Sequence, residues 1–287
     1  WGKTAGTTFA QLSGVNNSTL SGGVDAEVTD GDLESAYDLF GNKDVVDISL
    51  VLTGNASANV QNYVISNISS SRGDCVAFIS PPQSAVVNNA GDETTSIESW
   101  LTTLATVSSY AVADSGWKYQ YDKYNNVYRW IPLNGDIAGL CVYTDTTRDP
   151  WFSPAGFSRG QIKNCIKLAW NPSKAARDTL YAAGVNPVIS FSGQGTVLYG
   201  DKTLLNKPNA FDRINVRRLF IVLEKAIARA SQSTLFELND EFTRAQFVAL
   251  ITPFLRDVQG RRGITDFKVI CDTTNNTPQV IDSNQFV

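Results

Sequence analysis

Gly156-Phe157-Ser158-Arg159-Gly160 is the stretch of this 287-residue chain that most nearly spells a reactive centre. It matches the G-x-S-x-G turn that presents a nucleophilic serine in α/β-hydrolases. Such a serine reacts only when an adjacent base takes its proton, and in that fold the base is histidine. The chain has no histidine, and Trp151-Phe152-Ser153-Pro154 stands where a strand should lead in. The reading that fits is a turn into a helix capped by Ser158. Gly200-Asp201-Lys202-Thr203 resembles the end of a phosphate-binding loop, but Asp201 replaces a glycine whose backbone must approach the phosphate, and no glycine precedes it at the right spacing. Gly193-Gln194-Gly195 lacks the third glycine of a dinucleotide fingerprint and leads into Thr196-Val197-Leu198 rather than a helix. Arg72-Gly73-Asp74 lies where a strand should begin and is given no adhesive role.

Metal and redox chemistry are equally poorly provided for. Without histidine the commonest metal ligand and general base are both missing. Cys75, Cys141, Cys165 and Cys271 lie far apart with no C-x-x-C pair, each inside an apolar stretch, and read as buried reduced thiols. Asp92-Glu93, Asp25 with Glu27, and Asp30, Asp32 with Glu34 fall in loops and first helical turns, where the helix dipole accounts for acidic residues. No catalytic, cofactor-binding or metal residue is expected, and no cofactor.

What remains are surfaces. Trp117 to Leu133 alternates aromatic and polar residues on either side of Lys123 to Asn126, the pattern of a hairpin. Alternation puts Trp117, Tyr119 and Tyr121 on one face, with Tyr128 on the return strand. Such rings could stack on a glycan or a nucleotide, or pack against a helix layer or another subunit. Charge is also unevenly spread. Residues 1–116 hold 3 basic and 13 acidic groups, net −10, and residues 117–287 hold 21 and 15, net +6. That polarity suits head-to-tail contact between copies.

The elements that must position these surfaces follow from periodicity. A helix starts at Thr29-Asp30, with Leu33, Ala36, Tyr37 and Phe40 on one face. Residues 45–52, 74–80 and 108–114 read as strands, and 59–70 and 92–105 as helices, so the first half holds βαβ units with a partly parallel sheet. Further helices are expected at about 134–146, 160–169 and 173–183, then a glycine-rich stretch and a junction near Asn206-Lys207-Pro208. Residues 211–231 form an amphipathic helix whose apolar stripe is Val216, Leu219, Phe220, Leu223, Ile227 and Ala230, with Arg218, Lys225 and Arg229 on the far side. A last helix starts at Asn239 or Asp240 and should kink or end near Pro253, and 265–272 reads as a closing strand. The fold class is α/β, a mixed, partly parallel sheet flanked by helices, followed by a smaller helical C-terminal domain with a terminal strand. No apolar run approaches the roughly 18 to 20 residues a membrane span needs.

Taken in order, Lys118–Cys141, Ser153–Ile162, Val197–Thr203, Phe211–Phe220, Phe236–Arg244 and Val269–Asp282 closely resemble the C-terminal half of the tail sheath protein of T-even-like contractile-tailed bacteriophages. The resemblance runs from about residue 22 and is least distinctive over 81–116. It implies a connection from an absent upstream domain over 1–21, an α/β sheath core over 22–206 and a helical, tube-proximal domain over 207–287. It implies a structural subunit of the virion tail, assembled in the host cytoplasm, stacking helically as six-fold rings around the tail tube and contracting to drive the tube through the host envelope. Its partners would be copies of itself, the tail tube protein, and the baseplate and tail terminator at the ends, without nucleic acid, membrane or cofactor. The family's large upstream region, and a strand and arm after Val287 that pair with neighbouring subunits, are expected outside this chain. Because residues 207–263 carry 10 basic and 6 acidic groups, Arg244, Arg256, Arg261 and Arg262 are expected to face the tube, with Arg217 and Arg218 as further candidates. Trp117, Tyr119, Tyr121 and Tyr128 are expected at a subunit interface.

Overall fold

Apolar runs without polar alternation must be covered on both faces, and the first half of the chain supplies three of them. A computed structural model describes residues 19, 21–23, 28–205 and 207–287. Its elements run α1 (Asp30–Asp38), β1 (Leu50–Leu52), α2 (Ala58–Tyr63), β2 (Val76–Ile79), α3 (Gln83–Val86), α4 (Glu93–Leu104), β3 (Ala111–Asp114), β4 (Trp117–Asp122), β5 (Val127–Pro132) and α5 (Asn134–Thr147). There follow β6 (Lys167–Leu168), α6 (Lys174–Ala182), β7 (Val185–Asn186), β8 (Val188–Phe191), β9 (Gly195–Leu198), α7 (Ile214–Ser231), α8 (Glu241–Gly260) and α9 (Pro278–Asp282). The connection expected over 1–21 lies almost wholly outside the described residues, as does Asn206 at the expected junction.

β1, β2, β3 and β7 hydrogen-bond in that order as a parallel sheet, with Leu50 opposite Val76, Ala77 opposite Ala111 and Ala113 opposite Val185. Pleating sends Ala77, Ile79, Ala111 and Ala113 to one face, where Val60, Ile65, Trp100, Leu104 and Leu180 cover them. Val76, Phe78 and Val112 point the other way, onto Leu133, Ile137 and Cys141. Phe78 is wholly buried, and burying such a side chain contributes about 1.5–3 kcal/mol. At the carboxyl end of β3, Asp114 is sealed from solvent. It accepts hydrogen bonds from Ser80 Oγ at 2.6 Å and Gly116 N at 2.9 Å, and Ser80 Oγ accepts from Asn134 N at 3.0 Å. Burial without a cation pushes its carboxyl up to about 8.

α7 lies across the amino ends of β1, β2 and β3, where Lys225 meets Ile48 and Arg217 meets Ser109, and here the structure corrects the expected helix faces. Arg218 is buried and paired with Asp145 at the end of α5. Lys225 Nζ reaches Asp47 at 2.7 Å and Ile48 O at 2.6 Å, and Arg229 reaches Asp47 at 3.3 Å. The basic face therefore docks on the α/β unit, whereas Phe220 of the expected apolar stripe is 37% exposed. Leu219 and Leu223 of that stripe pack with Trp151, Phe152, Val258 and Phe254, a third cluster binding α7 to α8.

Other differences have local causes. No helix forms over 160–169. The amide of Ile162 bonds Thr196 O, those of Ile166 and Ala169 bond Tyr119 O and Trp117 O, and β6 joins β4. The glycine-rich stretch becomes the β8–β9 hairpin. Only Leu50–Leu52 of the run 45–52 pairs, and Val45 is 76% exposed. α8 continues past Pro253 to Gly260. The terminal strand expected over 265–272 has no ladder partner among the described residues, although its side chains alternate between covered and exposed from Phe267 to Cys271.

Candidate interaction surfaces

The β4–β5 hairpin forms six cross-strand pairs, with Tyr119 opposite Trp130 and Tyr121 opposite Tyr128. Since opposite residues share a face, these four rings make a ladder. Their centroids lie 4.9 Å apart for Tyr119 and Trp130, 5.6 Å for Tyr119 and Tyr128, and 5.1 Å for Tyr121 and Tyr128. Lys167 Nζ sits 5.3 Å from the Tyr119 centroid and 5.6 Å from that of Trp130. Tyr121, Tyr128 and the tip residue Tyr124 are 44%, 55% and 87% exposed, and β5 is an edge strand. Trp117 is placed otherwise. It is 3% exposed, packs in the core and donates its indole N–H to Pro81 O at 2.8 Å.

The six arginines named from sequence divide. Arg217 is buried between the rings of Tyr110 and Phe211, 4.2 and 4.0 Å from their centroids, and donates to Ser109 Oγ at 2.7 Å. Desolvation lowers its pKa. Arg218 is spent on Asp145, and Arg244 is buried with Nη1 on Asn239 O and Oδ1. Burial thus turns these three inward. Arg256 is exposed on the outer face of α8. Arg261 pairs with Asp149 at 2.6 Å, its guanidinium 5.7 Å from the Trp151 ring. Arg262 is exposed and closes the helix with a left-handed φ of 68°.

Arg261 and Arg262 bound a cleft of about 430 Å³ that sequence reasoning missed, with Arg148, Asp149, Phe152 and Arg159 on its other side. Arg148 and Arg159 both face the Phe152 ring, at 6.0 and 5.7 Å. Four guanidiniums meet there, against Asp149 in the lining and Asp257, whose Oδ2 lies 3.8 Å from Arg261 Nη1. The four residues lie more than a hundred positions apart in two groups, so no local spacing announces them; the net charge of the second half is their only trace. Tyr124 and Trp130 belong to the aromatic hairpin read from the sequence, whereas Lys167, which the β6–β4 pairing brings over the Tyr119 and Trp130 rings, was not foreseen.

The motifs that resembled active sites prove structural. Gly156–Gly160 closes a tight loop with no helix after it, so the expected cap at Ser158 does not form. A Cβ on Gly160 would lie 2.7 Å from Gly156 N, which explains the glycine. A Cβ on Gly200 would meet Asn186 Oδ1 at 2.9 Å, and Asp201 pairs with Arg213 at 2.8 Å. Arg72 and Asp74 pair with each other at 2.8 Å. Cys75, Cys141 and Cys271 are buried and Cys165 half-buried, all four free. Among the described residues no cluster of three or more metal-ligating acids and thiols occurs, and no helix is long and apolar enough to cross a membrane.

Comparison with known proteins supplies the family. The phage tail sheath protein central domain matches residues 26–204, and the phage tail sheath C-terminal domain matches 206–287. The tail sheath protein of Vibrio phage KVP40 is 49% identical over 93% of this chain, and that of Enterobacteria phage T4 is 47% identical over 94%. In each case the chain spans 43% of the relative's length. Among solved structures, the anti-feeding prophage helical sheath in its contracted state superposes with a TM-score of 0.71 at 18% identity, covering 92% of this chain and 70% of that one. The contracted sheath of an extracellular contractile injection system gives 0.70 at 21%, covering 84% and 66%. With 261 of its residues matched by two consecutive sheath domains and nearly half of its positions shared with curated sheath proteins, the chain belongs to the phage tail sheath protein family.

Proposed function

We propose that this chain is the core of a contractile tail sheath subunit whose function is contact, without catalysis or cofactor. Copies assemble as six-fold rings stacked helically around a tail tube, between baseplate and terminator, and contraction drives the tube through the host envelope. The division at about residue 206 into an α/β sheath core and a tube-proximal helical unit belongs to the same proposal. The observation that carries it is the aromatic ladder. Tyr121, Tyr124 and Tyr128 stand in solvent on the hairpin whose second strand, β5, is a sheet edge, and exposed rings of this size mark protein contacts. The Tyr119, Tyr121 and Tyr128 face is the subunit interface, with Trp117 holding the hairpin from inside.

Arg256, on the outer face of α8, is the arginine we assign to the tube; Arg261 and Arg262 belong to the cleft. An exposed ion pair contributes only about 0.2–1 kcal/mol. One such pair per copy, summed over many copies, retains the tube and still lets it slide when copies rotate. Electron microscopy of the purified full-length protein tests the reading: striated hollow tubes are expected, and isolated particles at high concentration would overturn it. Arg256→Glu should leave the tubes intact while they lose their hold on the inner tube.

A further inference from the structure

We propose that the turn between α7 and α8 is a plug, and that its socket is the arginine-lined cleft of a second copy of this chain. Leu235, Phe236, Leu238 and Phe242 in this turn are 62%, 105%, 77% and 70% exposed. Phe236 holds a left-handed φ of 69°, a conformation costly for a bulky side chain and found where a function requires it. The shape is preformed: Asn239 Nδ2 ties the turn to Asn276 Oδ1 at 3.1 Å and to Gln285 O at 2.8 Å. Glu237, Asp240 and Glu241 stand among the apolar residues, and no lysine or arginine lies between Arg229 and Arg244. Asp240 is engaged as the α8 cap through Thr243 N at 2.8 Å, which leaves Glu237 and Glu241 for a partner.

The cleft has the opposite character. Arg148 and Arg159 lie over Phe152 and Arg261 over Trp151, with Arg262 beside them, and Asp149 and Asp257 offset only part of this charge. The net positive charge that remains suits an anionic occupant, and guanidiniums over aromatic rings suit one that is also apolar. The plug precedes the 20-residue helix α8 and the cleft lies at its end. Such a helix is about 30 Å long, so the plug of a chain does not reach its own socket. Two different, complementary patches on every copy make a head-to-tail contact that repeats without closing on a pair, the geometry of a helical array. The inference rests on the self-assembly proposed above, but names surfaces that reading does not require.

Charge swapping in the full-length protein tests it. Arg148→Glu with Arg159→Glu sets an acidic plug against an acidic socket, and Glu237→Arg with Glu241→Arg sets basic against basic. Each pair alone should raise the critical concentration for assembly by about tenfold or more, with unchanged thermal melts. Mixing the two variants, or combining all four changes in one chain, should restore assembly. Phe236→Ser, at a site too exposed to affect folding, should weaken assembly on its own. Wild-type tubes with no loss in either reversal would overturn the plug and spare the sheath reading, and so would loss without restoration. No tubes from the wild type would overturn the sheath reading itself. Reversals of Arg148 and Arg159 that polymerise normally but release the inner tube would assign the socket to the tube instead.

Discussion

The parallel sheet and the C-terminal helices are held by different balances of apolar burial and charge. The parallel sheet is dry and covered on both faces, with Phe78, Ile79, Ile65 and Ile137 buried to within 1%, so its stability comes from apolar burial. The C-terminal helices attach to it by apolar burial and by charge together: Ile214 and Ile221 of α7 enter the sheet's second apolar cluster, Trp151 and Phe152 pack against α7 and α8, and Arg218 pairs with Asp145, Lys225 and Arg229 with Asp47. The sheet unit is thus a scaffold, and the helical unit an appendage carrying the plug and half of the socket. The contraction proposed above would need an element that stays rigid and surfaces that release.

Substitutions can break or sharpen this contrast. Phe78→Ala should cost about 3–5 kcal/mol in urea unfolding, whereas Phe236→Ala should cost nothing measurable; similar losses at both sites would erase the distinction. Asp114→Asn should stabilise the sheet unit by on the order of 2–4 kcal/mol at pH 7. The sign follows from protonation: the fold retains a proton that the unfolded chain releases above its ordinary value of 3.8, so stability falls as pH rises from there and levels off above about 8. Asparagine keeps the bonds to Ser80 and Gly116 and removes that slope, so melts of the two proteins should converge near pH 4. A gap that persisted there would contradict a protonated Asp114.

At the joint, Asp145→Asn strands the buried Arg218 and should cost about 1–3 kcal/mol. Hydrogen exchange in α7 should quicken while β2 stays protected. The exposed Lys225–Asp47 pair should matter less, about 0.2–1 kcal/mol, and fade in 1 M salt. Smallest of all for the chain itself, Tyr121→Ser with Tyr128→Ser should change folding stability by less than about 1 kcal/mol, yet lower sheath assembly in sedimentation.

The sheet was legible because Val76–Ile79 and Ala111–Ala113 are short unbroken apolar runs between helical spacings, and the hairpin alternates aromatic and polar residues. α1 began where Thr29 and Asp32 form a capping box, a local device visible in the letters. Residues 160–169 misled because Ile162, Cys165, Ile166 and Ala169 have helical spacing, while the amides of Ile162, Ile166 and Ala169 are claimed by strands β4 and β9 that are distant in sequence. The basic face of α7 misled for a related reason. Arginine and lysine usually mark solvent, but here Asp47 and Asp145 wait on other elements. The cleft was illegible because it assembles residues from 148–159 and 261–262, and no pattern in a single sequence records that meeting. The family was legible through the resemblance, which the identities to sheath proteins establish.

The account depends on the outer surfaces of this chain meeting other copies of it. The most direct measurement is a cryo-electron microscopy map of the sheath polymer formed by the full-length protein. The account predicts Tyr121 and Tyr128 buried against an adjacent copy, Phe236 seated between Arg148 and Arg159 of another, and Arg256 facing the lumen. A map in which the ladder and Phe236 both lie in solvent would contradict it.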